Sequence, residues 1–164
     1  MKTVFFIRHA KSSWADSSLR DIERPLNKRG LRDAPFMAQM LRSRGIIVDQ
    51  ILSSPANRAY TTATYFADAM QIDKASIVVR HDIYEAYPQS ILNILHTLPA
   101  HLQKVLIFGH NPTFTSLANM FSDDYLPNVP TCGIVKVEME EKEWPLFNPD
   151  TARMTAFYYP KHYF

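Results

Sequence analysis

Four short apolar runs constrain this chain more than any other feature: Thr3–Ile7, Gln50–Ser53, Ile77–Arg80 and Val105–Phe108. Each has four or five residues, mostly β-branched or aromatic, and none alternates cleanly between apolar and polar. That pattern belongs to strands buried on both faces. Between them lie longer amphipathic stretches. Leu31, Ala34, Met37, Ala38 and Leu41 make one stripe at helical spacing, and Ala59, Ala63, Phe66, Ala67 and Met70 make a second. Ile91, Leu92, Leu95 and Leu98 make a third, and Phe114, Leu117, Ala118 and Phe121 a fourth. Strand and helix in alternation predict an α/β fold of three layers, a mainly parallel sheet with helices on both faces. Pro35 lies inside the first helical stripe, where its missing N–H is expected to kink or restart the helix. Near the end, Gly133–Met139 and Met154–Tyr158 read as two strands with no helix between them, an edge pair at least partly antiparallel.

The chain has 164 residues, with no repeat or linker, and reads as a single domain over residues 1–164. At that length roughly 70% of the unfolded surface can be buried without a disulfide or metal staple. A net charge of +2, with no basic run or stripe, argues against a nucleic-acid partner. Cys132 is the only cysteine, so no internal disulfide can form. The four apolar residues before Arg8 are too few for a signal-peptide core, and no stretch has the ~18 apolar residues of a membrane helix. The expectation is a cytoplasmic protein with no membrane partner.

In a parallel sheet, ligands bind at the carboxyl ends of the strands. The first strand candidate is followed by Arg8 and His9, the second by Ser54-Pro55-Ala56-Asn57-Arg58, the third by His81-Asp82-Ile83-Tyr84-Glu85, and the fourth by Gly109-His110-Asn111-Pro112. Each has an ordinary reading. His9 can be a core histidine and Arg8 a surface cation. Arg58 can be a solvated charge in a helix's first turn, and Glu85 a carboxylate favoured by a helix dipole. His110 can be a turn residue, with Asn111 as a helix cap. Their shared place after strands is what points to a cluster. Two guanidiniums suit a tetrahedral dianion, because they fork-bind its oxygens and stay charged. Histidine serves as a nucleophile or proton carrier near neutral pH. Phosphoryl transfer is the chemistry these side chains share.

Other phosphate machinery does not fit. The only glycines are Gly30, Gly45, Gly109 and Gly133, which cannot build a Walker loop or a GxGxxG turn. A cysteine-dependent phosphatase loop needs arginine six residues after Cys132, where Glu138 stands. Asp49, Asp82, Asp123 and Asp124 form no di-metal ligand set with His9 and His110. The expectation is histidine-based transfer with no metal and no cofactor.

Arg8-His9-Ala10-Lys11-Ser12 resembles the Arg-His-Gly-x-Ser/Thr signature of the histidine phosphatase superfamily, the phosphoglycerate mutase-like proteins. The likeness continues through Arg24-Pro25-Leu26-Asn27 and Gly30, then Ser53-Ser54-Pro55 with Arg58-Ala59 and Thr62-Ala63, and ends at Gly109-His110-Asn111-Pro112. The most similar branch is that of the small SixA-type phosphohistidine phosphatases. The resemblance implies His9 as the nucleophile that becomes phosphorylated, with Arg8, Ser12, Arg58 and His110 binding phosphoryl oxygens. His110 also counts among the catalytic groups, and Glu85 stands where larger members carry the proton donor. It departs from the mutase pattern at Ala10, where glycine is usual, and at Ala15, where mutases often carry asparagine.

Chain length bears on the substrate. Twenty-six residues separate Arg58 from Glu85 and 24 separate Glu85 from His110. One strand and one helix fill each interval, so the fold is a minimal form without a lid insertion. An uncovered site admits a side chain presented on a protein, such as phosphohistidine on a histidine phosphotransfer-type domain. The alternatives are a phosphatase of small phosphate monoesters and a non-catalytic phosphate-binding module on the same fold.

Overall fold

The computed structural model describes residues Met1–Phe164. Six strands form one sheet in the order β3-β2-β4-β1-β5-β6: β1 (Lys2–Arg8), β2 (Gln50–Ser53), β3 (Val78–Val79), β4 (Lys104–Gly109), β5 (Ile134–Met139) and β6 (Ala152–Tyr158). β1 to β4 are mutually parallel, while β5 runs antiparallel to both β1 and β6. The sheet is therefore mainly parallel with an antiparallel extension on one side, as the tail's two helix-free strands require.

Four helices cover it: α1 (Lys28–Ser43), α2 (Asn57–Ala69), α3 (Pro88–His96) and α4 (Thr113–Phe121). Successive residues of β1 serve opposite faces, as the pleat dictates. Phe5 and Ile7 pack with Ala34, Met37, Leu41 and Phe66 of α1 and α2. Val4 and Phe6 pack with Leu92, Leu95, Leu117 and Phe121 of α3 and α4. Both faces are covered, which is why the central runs read as continuous apolar strings.

Three local expectations are corrected. Pro35 does not break α1, which runs through it as one 16-residue helix. Pro35 is only half-buried and would have bonded the carbonyl of Leu31, an exposed residue. Water can therefore take the hydrogen bond that proline forgoes. Leu31 itself leaves the first apolar stripe for solvent. The third strand shrinks from Ile77–Arg80 to Val78–Val79. It is an edge strand, and both valines are exposed while Ile77 is buried.

Candidate active site

The carboxyl ends of β1, β2 and β4 bring the cluster together. β1 delivers Arg8 as its last residue and His9 just beyond. The His9 amide bonds the Gly109 carbonyl at the end of β4, and the Cys132 amide bonds the carbonyls of both Arg8 and His9. The end of β1 is thus pinned from both neighbours. Gly109 allows α4 to close in: a Cβ there would sit 2.6 Å from the Phe114 ring. On the other side, Thr62 of α2 accepts the Ala10 amide (3.0 Å) and donates to the Arg58 carbonyl (2.7 Å). One hydroxyl therefore ties the loop of His9 to the helix turn of Arg58.

His9 is buried, and its Nδ1 lies 2.7 Å from the Ala10 carbonyl. A carbonyl only accepts, so Nδ1 carries the proton and Nε2 presents a lone pair. That nitrogen has no partner and is not buried. Burial pushes the His9 pKa down to about 3. The Ala10 hydrogen bond opposes this, while His110, Arg58 and Arg8 reinforce it. The ring is neutral at pH 7 and nucleophilic as it stands. Ala10 supplies the acceptor that fixes its tautomer.

His110 stands against His9, with ring centroids 5.3 Å apart. Its pKa falls to about 4, through burial first and then Arg58, partly opposed by Asp21, with Arg8 adding to the fall. Nε2 meets Ser54 Oγ at 2.7 Å, and the Tyr84 ring packs edge-on at 5.6 Å. Arg8 donates from Nη1 to the Val129 carbonyl at 2.9 Å. Three buried side-chain polar atoms in the whole chain have no hydrogen-bond partner: Arg8 Nε, His110 Nδ1 and Asp33 Oδ2. Two of the three belong to His9's neighbour in the chain and to the histidine packed against it.

Arg58 is buried, which removes the solvated-charge reading. Its fork holds Asp21, with Nη1 on the backbone carbonyl (2.7 Å) and Nη2 on Oδ2 (2.9 Å). Tyr84 donates to the same carboxylate oxygen at 2.7 Å, and Arg24 Nη1 donates to Oδ1 at 3.0 Å. Burial opposes ionisation of Asp21, but the bonds from Tyr84, Arg58 and Arg24 hold its carboxyl well below the usual range. The sequence reading missed Asp21. Its only signal was its place three residues before Arg24 in the Arg24-Pro25-Leu26 segment. Ser54 and Thr62 stood in the matching motifs without a task assigned to them, and Tyr84 was visible only as a neighbour of Glu85.

Ser12 is buried and accepts from Arg24 Nη2. It reaches the cluster through Arg24, Asp21 and Arg58. Glu85 is exposed and lines a cleft of about 600 Å³ with Tyr87, His110, Asn111 and Thr113. It does not sit in the first turn of α3, which begins at Pro88 with Tyr87 as its N-cap. The helix-dipole reading loses its geometric basis there. Glu85 also holds φ = 56°, in the left-handed region that costs a non-glycine residue about 1–2 kcal/mol. Asn111 does serve α4, accepting the Thr115 amide and hydroxyl.

No group of three or more His, Cys, Asp or Glu side chains is arranged to hold a metal ion. Burial raises the pKa of Cys132, which keeps its thiol protonated and unreactive.

A profile of the histidine phosphatase superfamily (branch 1) matches residues 4–87. The chain belongs to that superfamily. A solved chain from Agrobacterium tumefaciens, assigned as phosphohistidine phosphatase SixA, superposes with a TM-score of 0.81 at 30% identity, covering 97% of this chain and 98% of that one. An uncharacterized chloroplastic protein of Arabidopsis thaliana is 32% identical over 87% of this chain and 69% of its own length. The phosphohistidine phosphatase SixA of Escherichia coli is 25% identical over 88% of this chain and 90% of its own. The fold is the mainly parallel α/β sheet expected from the strand-and-helix pattern, in the phosphoglycerate mutase-like form that the family resemblance implied.

Proposed function

We propose that this phosphatase removes phosphoryl groups from phosphohistidine on proteins, through a phosphorylated His9. The observation that carries the reading is a neutral His9 with an open Nε2, next in the chain to Arg8 and packed against His110, whose Nε and Nδ1 atoms respectively are buried without a partner. Leaving such groups unpaired costs about 1–3 kcal/mol each. Phosphoryl oxygens would satisfy both at the place where His9 Nε2 meets phosphorus.

In this mechanism Nε2 attacks phosphorus as the P–N bond to the substrate ring breaks. The substrate ring, already protonated on its other nitrogen, keeps the electron pair of the broken P–N bond and leaves as neutral imidazole. Arg8, Arg58 and His110 stabilise the charge spread over the three transferring oxygens, the main source of catalysis in phosphoryl transfer. Water then attacks the phosphohistidine of His9 and releases phosphate. Ser12 acts through Arg24 rather than on phosphate directly. The donor set needs no metal. No helix is long and apolar enough to cross a membrane, and the cleft lined by Glu85 and His110 is open, with only short elements of the sheet and its helices between Arg58 and His110. That openness favours a side chain presented by a folded protein, and the SixA-type relatives fit the same reading.

A second reading, hydrolysis of small phosphate monoesters, is favoured by Glu85. Its strained backbone and its place in the His110 cleft suit a proton donor to an alkoxide leaving group. A substrate panel separates the two: a phosphohistidine protein, p-nitrophenyl phosphate and sugar phosphates. A kcat/KM for the phosphoprotein far above the others is expected. Preference for a sugar phosphate would replace the first reading with the second.

A further inference from the structure

Ser54 follows β2, and its amide continues the ladder by bonding the Phe108 carbonyl at 3.0 Å. Its side chain is fully buried. The hydroxyl has one proton and two lone pairs. One lone pair takes the Ala56 amide at 3.1 Å, and the oxygen lies 2.7 Å from His110 Nε2. Two arrangements of protons satisfy those distances. In one, His110 Nε2–H donates to Ser54. Both lone pairs are then filled, and the hydroxyl proton has no acceptor inside the protein, at a cost of about 1–3 kcal/mol. That arrangement also turns a bare Nδ1 lone pair toward any phosphoryl oxygen, which repels it. In the other, the Ser54 hydroxyl donates to Nε2, and the neutral ring carries its proton on Nδ1. The hydroxyl proton then has its acceptor, one lone pair still holds the Ala56 amide, and Nδ1 becomes a donor.

We propose that Ser54 is a positioning residue that holds His110 in its Nδ1–H tautomer, so that the neutral ring donates a hydrogen bond from Nδ1 to a phosphoryl oxygen. The catalytic part rests on the function proposed above, while the tautomer is a property of the free protein. The other groups around the ring do not supply this control. Tyr84 spends its hydroxyl on Asp21, and the Nδ1 of His9 is committed to Ala10. Arg8 and Arg58 are donors only. Asp21 engages Arg58, Arg24 and Tyr84, and Glu85 makes no hydrogen bond to the ring. A ring fixed in this way needs no protonation to bind a dianion. This matters where burial and two arginines hold His110 neutral.

The test is a ring-nitrogen NMR spectrum of the whole protein with ¹⁵N-labelled histidine, at pH 7 and without substrate. His110 should show a protonated Nδ1 and an unprotonated Nε2. Ser54→Ala should shift the ring toward Nε2–H or a mixture, and Ser54→Thr should restore the wild-type pattern. Activity toward p-nitrophenyl phosphate should follow, falling roughly 10-fold in Ser54→Ala, the effect of about 1.4 kcal/mol, and recovering in Ser54→Thr. A wild-type His110 protonated at Nε2 overturns the proposal even if no variant folds. So does a Ser54→Ala spectrum identical to wild type. A wild-type protein inert toward every phosphate would instead remove the function reading and leave the tautomer assignment untouched.

Discussion

Asp21 and Arg58, 37 positions apart in the chain, meet through two hydrogen bonds that take two of the five N–H donors of the guanidinium. Three donors remain. Asp21 therefore aims the fork without filling it, and Arg24 and Tyr84 hold Asp21 in turn.

Arg58→Ala should lower turnover by roughly 10²–10³, the usual cost of losing one donor to developing charge. Arg58→Lys should recover little, because an ammonium cannot bridge Asp21 and a phosphoryl group as a planar fork does. Asp21→Asn, which keeps shape but loses charge, should fall between wild type and Arg58→Ala. Steady-state kinetics on p-nitrophenyl phosphate checks all three. Unchanged rates would return Arg58 and Asp21 to a purely structural pair.

The two site histidines share one expectation for titration and one for stability. Their pKa values lie near 3 and 4, below the ordinary 6.5. Both rings should therefore show no titration between pH 5 and 8 in histidine ring NMR spectra. Their contribution to stability is complete above pH 6.5. It is lost as the pH falls from there toward 3, because the unfolded chain takes up protons that the folded rings refuse. A His9 signal that titrates near 6.5 would contradict the buried, neutral nucleophile.

Glu85 joins backbone strain to a place in the cleft. Glu85→Gly should be at least as stable as wild type in a thermal melt, since glycine tolerates φ = 56°. Glu85→Gln should slow alkyl phosphate monoesters by about 10²–10⁴, the typical value of a general acid. It should slow a phosphohistidine protein much less, because that leaving ring can carry its proton beforehand. Equal losses on both substrates would give Glu85 another task, such as orienting water.

Gly30 lies in the first turn of α1, where a Cβ would come within 2.2 Å of the Lys11 carbonyl oxygen. The Asn27 amide bonds that same carbonyl at 2.9 Å. Gly30→Ala must push α1 away from the loop that follows His9. A stability loss of about 1–3 kcal/mol is expected, with reduced activity. A melting temperature equal to wild type would mean the loop yields freely.

The strand ends were legible because burial on both faces leaves unbroken apolar runs, and a polar residue after such a run stands out. Arg8, His9 and His110 were found in that way, and Arg58 by its place in the turn after β2. Val78–Val79 was misjudged because an edge strand can keep β-branched residues while exposing them. Pro35 was misjudged because its cost depends on which carbonyl it orphans, and that carbonyl belongs to an exposed residue. Asp21 lies in an irregular segment with no periodicity, so nothing in the sequence announces that its carboxylate meets Arg58. Ser54 was visible as a motif residue, but its task depends on a 2.7 Å contact across the sheet edge.

The proposed mechanism requires a covalent phosphoryl group on His9. The most direct measurement is to quench the reaction under alkaline conditions, which preserve phosphohistidine, during turnover of a phosphohistidine protein, and to map the modified peptide by mass spectrometry. One phosphoryl group on His9 is expected, formed and lost at rates compatible with turnover, with neither phosphoenzyme nor turnover in His9→Ala. Turnover at the wild-type rate in His9→Ala, or a phosphoryl group on any other residue, would contradict it.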